Sequence, residues 1–247
     1  MMKNILLSFL FGFTLIISSG QSLPNSFLEK YNAAKSDSAK GKCIHDYIVE
    51  GSHPDSIMNR RVLLLLAWFK DHNDPVGADY TGIHSSRILN VTGDFTTGLN
   101  QSLDILTRFE KRNDEYGQMR AYISIAGSFD RSTDYENAIS YDRKAMAIAT
   151  ARNNQGTLAG IMNDISSCYA QANLPDSGII YAQEAVNISE SMKDNASLAY
   201  HLGTLAENYI AKHEFDIALP FLRKAIGYSK SEDQSWALTY NTNDMAQ

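Results

Sequence analysis

The strongest constraint on the fold is a repeat of 40 residues in the second half of this 247-residue chain. In this frame, the segment Tyr135–Ile139 falls on Phe215–Leu219 two periods later. Three other sets keep the same spacing: the aromatic residues Phe129, Tyr169 and Tyr209, the large apolar residues Ile125, Ile165 and Leu205, and the alanines Ala145, Ala185 and Ala225. One frame held over three units without a gap predicts a stack of similar units, each packed on its neighbours.

Each unit has the pattern of two helices. One apolar helix face is formed at the i, i+3, i+4 and i+7 positions by Tyr122, Ile125, Ala126 and Phe129. The segment 132–134 (Ser-Thr-Asp) then supplies turn and capping residues, and a second helical pattern begins at Tyr135. The short break predicts an antiparallel helix hairpin.

These residues resemble the signature of the tetratricopeptide repeat (TPR) family. The matching positions are Tyr122, Ile125, Ala126, Phe129, Ala138, Tyr141 and Ala145 in one unit, and Leu202, Leu205, Ala206, Tyr209, Ala218, Phe221 and Ala225 in another. The resemblance implies an all-α, TPR-like α-solenoid of antiparallel helix pairs that forms a right-handed superhelix. The period is 40 residues where the family has about 34, and Pro220 falls inside a second helix, where we expect it to remove a hydrogen bond or delay the helix start.

The frame also predicts the domain organisation. Residues 21–78 form a degenerate N-terminal helical repeat or cap, followed by four repeats at 79–118, 119–158, 159–198 and 199–238. The helix expected between Tyr80 and Val91 is weakly patterned. Residues 239–247 begin a further repeat that stops before its aromatic residue, so we expect the sequence to be a fragment of a longer protein.

Residues 1–20 have the pattern of an export signal. Lys3 precedes the apolar run Ile5–Ile17, and the small residues 18–20 (Ser-Ser-Gly) follow it. The run is too short to span a bilayer, which needs about 20 apolar residues. We therefore expect cleavage after Gly20 and a periplasmic or other extracytoplasmic location, with membrane tethering open through a missing C-terminal part. Cys43 and Cys168 are expected to be separate, buried, unreactive thiols.

Composition and motifs argue against several functional classes. The net charge of −6 gives no electrostatic basis for nucleic-acid binding. The sequence has no phosphate-binding loop, dinucleotide-binding turn or nucleophile elbow, and no two of its six histidines have the i, i+4 spacing of a helical zinc pair. We therefore predict no catalytic, cofactor-binding or metal-binding residues, and no membrane span after the signal peptide.

The resemblance implies that a ligand would bind on the concave face, which the family forms from the first helix of each pair. The positions carried over are Arg120, Ile123, Asp130, Asn163, Ser167, Tyr200, Glu207 and Ile210. Only Arg120 and Asn163 are of the types with which the family's clamp holds a terminal carboxylate, so such a clamp is not expected. A small, mixed face suits a protein partner or an extended peptide, if it binds anything.

The resulting hypothesis is a non-catalytic protein- or peptide-binding scaffold outside the cytoplasm. An export signal followed by long-period repeats resembles the exported N-terminal TPR region of Bacteroidota signalling proteins, either sensor histidine kinases or LuxR-type regulators. The chain would then be the sensory or interaction region of a longer protein. Two alternatives stay open: an accessory array of an enzyme whose catalytic domain follows residue 247, and a structural component of an envelope complex.

Overall fold

A computed structural model describes residues 23–49 and 55–231, and the secondary structure within these ranges is entirely helical. The helices are α1 (Asn25–Ala33), α2 (Asp37–Val49), α3 (Asp55–Asp71), α4 (Pro75–Val91), α5 (Phe95–Lys111), α6 (Glu115–Arg131), α7 (Tyr135–Ala151), α8 (Gln155–Gln171), α9 (Pro175–Met192), α10 (Asn195–Ala211) and α11 (Phe215–Ser231). The chain divides into two compact units, with the boundary between Ser85 and Ser86 inside α4.

The first unit has its own apolar core. Helix α2 packs against both α1 and α3, and the side chains of Tyr31, Ile44 and Leu65 are almost completely buried. The Tyr31 hydroxyl donates a hydrogen bond of 2.8 Å to Asp74. Lys40 approaches the same carboxylate to 3.5 Å, so that Asp74 ties the start of α4 to α1 and α2.

In the second unit, each helix packs against the next one in the chain, and α8 also contacts α10. The second unit is therefore a succession of packed helix pairs, in which α8 and α10, the first helices of two neighbouring pairs, are also in contact. The predicted all-α stack of three helix pairs between Tyr116 and Lys230 is confirmed, and the arrangement is that of a TPR-like helical solenoid.

Stacked aromatic rings join the two helices of each pair at the predicted positions. The ring centroids of Phe129 and Tyr141 are 5.6 Å apart, and those of Tyr209 and Phe221 are 5.7 Å apart. The middle pair has Tyr169 and Tyr181 at 5.8 Å. Offset stacking of this kind is favourable beyond the area it buries, which explains why the period retains an aromatic residue at both places.

The turns between helices reveal a shorter period that the sequence analysis missed. A residue with positive φ occurs at every twentieth position, namely Asn73, Gly93, Asn113, Thr133, Asn153, Asn173, Lys193 and His213. At Asn113 the backbone N–H donates to Glu110 O (3.0 Å), while the next N–H, of Asp114, donates to Phe109 O (2.9 Å). This pair of bonds is the Schellman motif, which satisfies the carbonyl groups at the end of a helix.

The residue after each positive-φ position usually caps the next helix. The Asp114 side chain accepts a hydrogen bond of 3.1 Å from the backbone N–H of Gly117, and Asp194 accepts one of 3.1 Å from Ser197. The same cap is formed by Asp74, Asp94, Asp134 and Asn154. Leu174 stands at this place before α9 and makes no side-chain cap, but Pro175 follows it at the first helical position, where the missing N–H costs nothing.

Aromatic rings and glycines are paired across two of these turns. The ring of Phe69 lies where a side-chain carbon at Gly77 would stand, and Phe109 lies in the same way against Gly117. The two equivalent turns further along the chain have a small residue in place of the ring, Ala149 or Ser189, and a larger one in place of the glycine, Thr157 or Ser197. The close contact between a ring and a glycine is therefore a feature of the first two of these turns only.

Of the two effects expected of Pro220, the structure shows the first: Pro220 lies inside α11, which begins at Phe215, so its missing N–H removes a hydrogen bond and the helix start is not delayed. Two other expectations need correction. The segment with weak patterning is a full helix, α4. Both cysteines are free, as predicted, but only Cys168 is buried, whereas Cys43 is half-buried.

None of the helices within the described ranges is both long and apolar enough to cross a membrane. The predicted signal peptide and the unfinished repeat after residue 238 lie outside the described residues. The repeat and cap boundaries stay predictions.

The turn geometry leads to the first testable prediction. Thr133 is a β-branched residue held at φ 63°, a conformation that costs about 1–2 kcal/mol for residues other than glycine. We expect Thr133→Gly to raise the free energy of unfolding by about 1 kcal/mol, measured by urea denaturation. Thr107→Gly, at an exposed position inside α5, is the matched control and should lower it by a few tenths of a kcal/mol, about the difference in helix propensity. A lower stability for Thr133→Gly would contradict the assignment of strain.

Candidate functional site

The predicted ligand-binding positions lie on α6, α8 and α10, the first helices of the three pairs. Seven of the eight are half-buried: Arg120, Ile123, Asp130, Ser167, Tyr200, Glu207 and Ile210. The eighth, Asn163, is fully buried with 0% of its surface exposed. We call the surface that these eight residues form the first-helix face.

The structure brings some of these residues together. Tyr200 on α10 lies close enough to Asn163 on α8 for the amide to influence its hydroxyl, and the charge of Glu207 also acts on this hydroxyl. Asp130 on α6 accepts a hydrogen bond of 3.5 Å from the thiol of Cys168 on α8. These contacts join neighbouring first helices into one polar region.

The remaining predicted positions are engaged elsewhere. Ser167 accepts a hydrogen bond of 3.1 Å from Gln171 on its own helix. Ile210 packs against the small apolar core of Ala206, Ala218 and Leu222. Arg120 has an interaction within the protein, and Ile123 is half-buried on the same helix.

Three carboxyl groups on three successive helices influence one another in this region. Asp130 (α6), Asp142 (α7) and Asp164 (α8) act on one another electrostatically, and we call them the carboxyl cluster. The side chain of Asp142 is only 2% exposed. Sequence analysis missed Asp142 and Asp164 as site residues.

The carboxyl cluster has a neutral counterpart one repeat earlier. Ser102 on α5 and Ser124 on α6 are 40 residues before Asp142 and Asp164, and their buried hydroxyl groups are hydrogen-bonded at 2.9 Å. One repeat later the same positions hold Ala182 and Thr204. An alignment of the repeats that compared charge as well as size would have shown that Asp142 is charged at a position where the neighbouring repeats have uncharged residues.

Burial dominates the protonation of these carboxyl groups. It raises the pKa of Asp142 well above the ordinary value, and the neighbouring charges of Asp164 and Asp130 raise it further. Burial also raises the pKa of Asp164 to about 6, partly opposed by Arg87. Because two carboxyl groups in one site cannot both ionise easily, we expect Asp142 and Asp164 to hold a proton between them near neutral pH.

Two side chains at the site have buried polar atoms that lack an ordinary hydrogen bond within the described residues. The Asn163 amide acts on Asp164 and Tyr200 without reaching ordinary hydrogen-bond geometry with either, and Oδ1 of Asp142 has no protein partner there. Buried polar atoms are almost always paired in native proteins, because leaving one unpaired costs about 1–3 kcal/mol.

The thiol of Cys168 and the hydroxyl of Tyr200 remain protonated at this site. Burial, followed by the charges of Asp130 and Asp142, raises the pKa of Cys168. Burial and the charge of Asp164 raise the pKa of Tyr200. A protonated thiol is a poor nucleophile, so Cys168 is not activated for nucleophilic attack.

A second buried pair, Ser189 and His201, has the spacing of a nucleophile and a base. Ser189 Oγ lies 2.9 Å from His201 Nδ1, which is also 3.2 Å from the carbonyl oxygen of Ala185. Burial lowers the pKa of His201 to about 4. Ser189 is only 1% exposed, so a substrate cannot reach it, and the pair joins α9 to α10 structurally.

The described part of the chain contains no group of three or more histidine, cysteine or acidic side chains arranged to hold a metal ion.

No protein-family model matches the sequence, and the search of curated proteins finds no match either. Solved structures do match the fold. A Rap protein complexed with Competence and Sporulation Factor has a TM-score of 0.69 at 11% identity, over 85% of this chain and 58% of its own. A putative kinesin light chain from Podosopora anserina with TPR-like repeats has 0.54 at 10%, over 87% of this chain and 100% of its own.

A third solved structure is a Signal Transduction ATPase with Numerous Domains from Pyrococcus horikoshii, which carries a tetratricopeptide repeat sensor. Its TM-score is 0.58 at 16% identity, over 84% of this chain and 33% of its own. The chain thus spans 58% of the Rap protein and 33% of the ATPase. At these identities the likeness shows the fold alone, and the fold is that of TPR-like repeat proteins.

The raised pKa of Asp142 leads to a prediction about stability. Since the folded state holds a proton more tightly than the unfolded chain, the free energy of unfolding falls as the pH rises above the unfolded value of 3.8. Asp142→Asn removes this titration. We expect the variant to be more stable than the wild type at pH 8 by roughly 1–3 kcal/mol, with the difference shrinking towards pH 4.

Urea denaturation between pH 4 and pH 8 would measure this difference. Asp104→Asn, which makes the same change at an exposed position on α5, is the control and should follow the wild type at every pH. An Asp142→Asn variant that is less stable than the wild type at pH 8 would contradict the prediction.

Proposed function

We propose that this chain is a non-catalytic scaffold whose first-helix face binds a protein segment or an extended peptide. The observation that carries the proposal is the half-buried polar region that Asp130, Tyr200 and Glu207 form across successive first helices. Half-buried side chains are accessible to a ligand, and polar ones can pair with the N–H and C=O groups that an extended peptide carries along its backbone.

The composition of the face supports a peptide over a small molecule. The binding positions are spread over three helices and mix charged, aromatic and aliphatic side chains, such as Glu207, Tyr200 and Ile123. A small-molecule site is usually a single concave, mostly apolar pocket. The Rap protein of similar fold was solved in complex with Competence and Sporulation Factor, which supports ligand binding by such a scaffold.

The proposed location is outside the cytoplasm. Its support is the order of charged, apolar and small residues in the segment 1–20, with Lys3, the run Ile5–Ile17 and Gly20. The net charge of −6 supports a protein or peptide partner over a nucleic acid.

Within this proposal, the chain is the sensory or interaction region of a longer signalling protein. The support is the Pyrococcus horikoshii protein, in which a tetratricopeptide repeat sensor is one part of a larger chain. The output region would be a histidine kinase or LuxR-type module of the Bacteroidota kind. An accessory array of an enzyme and a structural envelope component are the alternatives, and the coding sequence downstream of residue 247 distinguishes the three.

The peptide-binding proposal predicts a specific effect of Glu207. Incubating the purified chain with an array of random 12-residue peptides should identify ligands, and Glu207→Ala should weaken their binding by about tenfold, corresponding to the loss of roughly 1.4 kcal/mol. Glu184→Ala, at an exposed position on α9, is the matched control and should bind like the wild type. Circular dichroism would verify that both variants fold. An array without bound peptides, or equal losses in both variants, would refute the proposal.

The export proposal has a separate test. When the full chain is produced in a Gram-negative bacterium, N-terminal sequencing of the periplasmic product should begin at Gln21. Leu10→Arg places a charge in the apolar run and should leave the chain in the cytoplasm beginning at Met1. Asn32→Arg, which adds the same charge at an exposed position on α1, should still be exported. A periplasmic product that retains Met1 would contradict the cleavage prediction.

A further inference from the structure

A cluster outside the first-helix face brings an arginine together with two tyrosines. Arg143 on α7 donates a hydrogen bond of 2.9 Å from Nη2 to the hydroxyl oxygen of Tyr169 on α8. The ring of Tyr169 is stacked on that of Tyr181 on α9, with the two centroids 5.8 Å apart, and the guanidinium group is close enough to act on the Tyr181 hydroxyl as well. We call these three residues, which come from three successive helices, the guanidinium–tyrosine cluster.

The stacked rings are required by the fold, but their hydroxyl groups are not. One repeat earlier the same two positions hold Phe129 and Tyr141, with the ring centroids 5.6 Å apart. One repeat later they hold Tyr209 and Phe221, 5.7 Å apart. Each neighbouring repeat therefore has a phenylalanine at one of the two positions and keeps the same stacking. The presence of two hydroxyl groups in the middle repeat needs a reason other than packing.

Arg143 is exposed and has no acidic partner. Its side chain lies at the surface of α7, and no carboxylate of the described residues comes within ion-pair distance of it. The neighbouring repeats have Leu103 and Gln183 at this position, so the packing of the helices does not depend on a positive charge here. The charge of Arg143 is therefore available to a ligand.

The cluster also has hydrogen-bond donors to offer. A guanidinium group carries five N–H donors, and only one of those of Arg143 is used in an ordinary hydrogen bond within the described residues. The Tyr169 oxygen accepts that bond, so its own O–H remains a donor. Neither this hydroxyl nor that of Tyr181 donates to another group in the described part of the chain. A positive charge surrounded by N–H and O–H donors is the chemistry that recognises an oxyanion.

We propose that the guanidinium–tyrosine cluster binds the side-chain carboxylate of an aspartate or glutamate on a partner protein. A carboxylate accepts two parallel N–H···O bonds from the edge of a guanidinium group and has lone pairs left for the tyrosine hydroxyls. One positive charge balances one carboxylate, whereas a phosphate group carries about two negative charges at neutral pH. None of the eight residues of the first-helix face takes part, so this is a second contact surface.

The tyrosines prepare Arg143 for this contact. An exposed ion pair contributes little when two long side chains must first be fixed in one geometry. Here the guanidinium group is already held by the hydroxyl of Tyr169, whose ring is fixed by its stacking on Tyr181. Less conformational entropy is therefore lost on binding, and we expect a measurable preference for a carboxylate at this exposed position.

Three pools of nine-residue peptides, acetylated and amidated at their ends, would test the cluster. The central residue of each pool is fixed as glutamate, glutamine or phosphoserine, and the other eight positions are random but contain no acidic residue. Glutamine has the shape of glutamate without its charge. We expect the purified chain to retain the glutamate pool about fivefold more than the glutamine pool, since only glutamate can form charge-assisted hydrogen bonds with the cluster. Mass spectrometry of the bound fraction gives the ratio.

Three variants and one control locate the effect. Arg143→Gln should bring the ratio of glutamate to glutamine close to one. Tyr169→Phe and Tyr181→Phe remove only a hydroxyl group, which the neighbouring repeats show to be dispensable for stacking, and each should reduce the ratio by about half. Arg223→Gln makes the same change at the equivalent exposed position of α11 and should leave the ratio as in the wild type.

Several results would overturn the proposal. Equal retention of the glutamate and glutamine pools by the wild type would show that the cluster does not bind a carboxylate. A loss in Arg223→Gln as large as that in Arg143→Gln would assign the preference to overall charge. Wild-type ratios in both tyrosine variants would remove the tyrosines from the site. Stronger retention of the phosphoserine pool than of the glutamate pool would assign the cluster to phosphate groups and refute the choice of ligand.

Discussion

The architecture depends on a three-residue turn in which one residue closes a helix and opens the next. At Asp114, the backbone N–H completes the Schellman motif of α5 by donating to Phe109, while the side chain accepts from Gly117 to cap α6. The inserted residue of positive φ, here Asn113, makes both roles compatible. Because the two caps share one residue, an insertion or deletion in the turn would break both of them. This explains why the 40-residue frame is kept without gaps.

The fold could be predicted from the sequence because helix periodicity and the 40-residue frame report the same packing. The aromatic pairs, such as Tyr209 and Phe221, were identified from that frame. The twenty-residue period of the turns was missed, because asparagine, glycine, threonine, lysine and histidine all occupy the positive-φ position and share no composition. Their common property is a backbone angle, which appears only in the structure.

Only part of the candidate site could be predicted. Asn163, Asp130 and Tyr200 were found because the family resemblance places ligand contacts on first helices. Asp142 was missed because it lies on a second helix. The residues at its position in successive repeats had been compared for size and not for charge. Asp142 stands out because it is buried and because its Oδ1 has no hydrogen-bond partner among the described residues. Neither burial nor hydrogen bonding can be read from the residue type alone. The neutral pair at Ser102 and Ser124 shows that this second unit can fill the equivalent positions without charge.

The ring and glycine pairs have a consequence for how such an array evolves. Phe109 fits only because Gly117 has no side chain, whereas the equivalent positions of the next repeat hold Ala149 and Thr157. Either member changed alone produces overlap or a void, each of which costs several kcal/mol in a core. After a duplication, the copies can therefore diverge at this site only by paired changes, or through a poorly packed intermediate. A recombination breakpoint inside the turn would separate the ring from its glycine, eight positions away, and join residues that do not pack together. Exchange of whole helix pairs with their turns intact is therefore the tolerated route to new combinations.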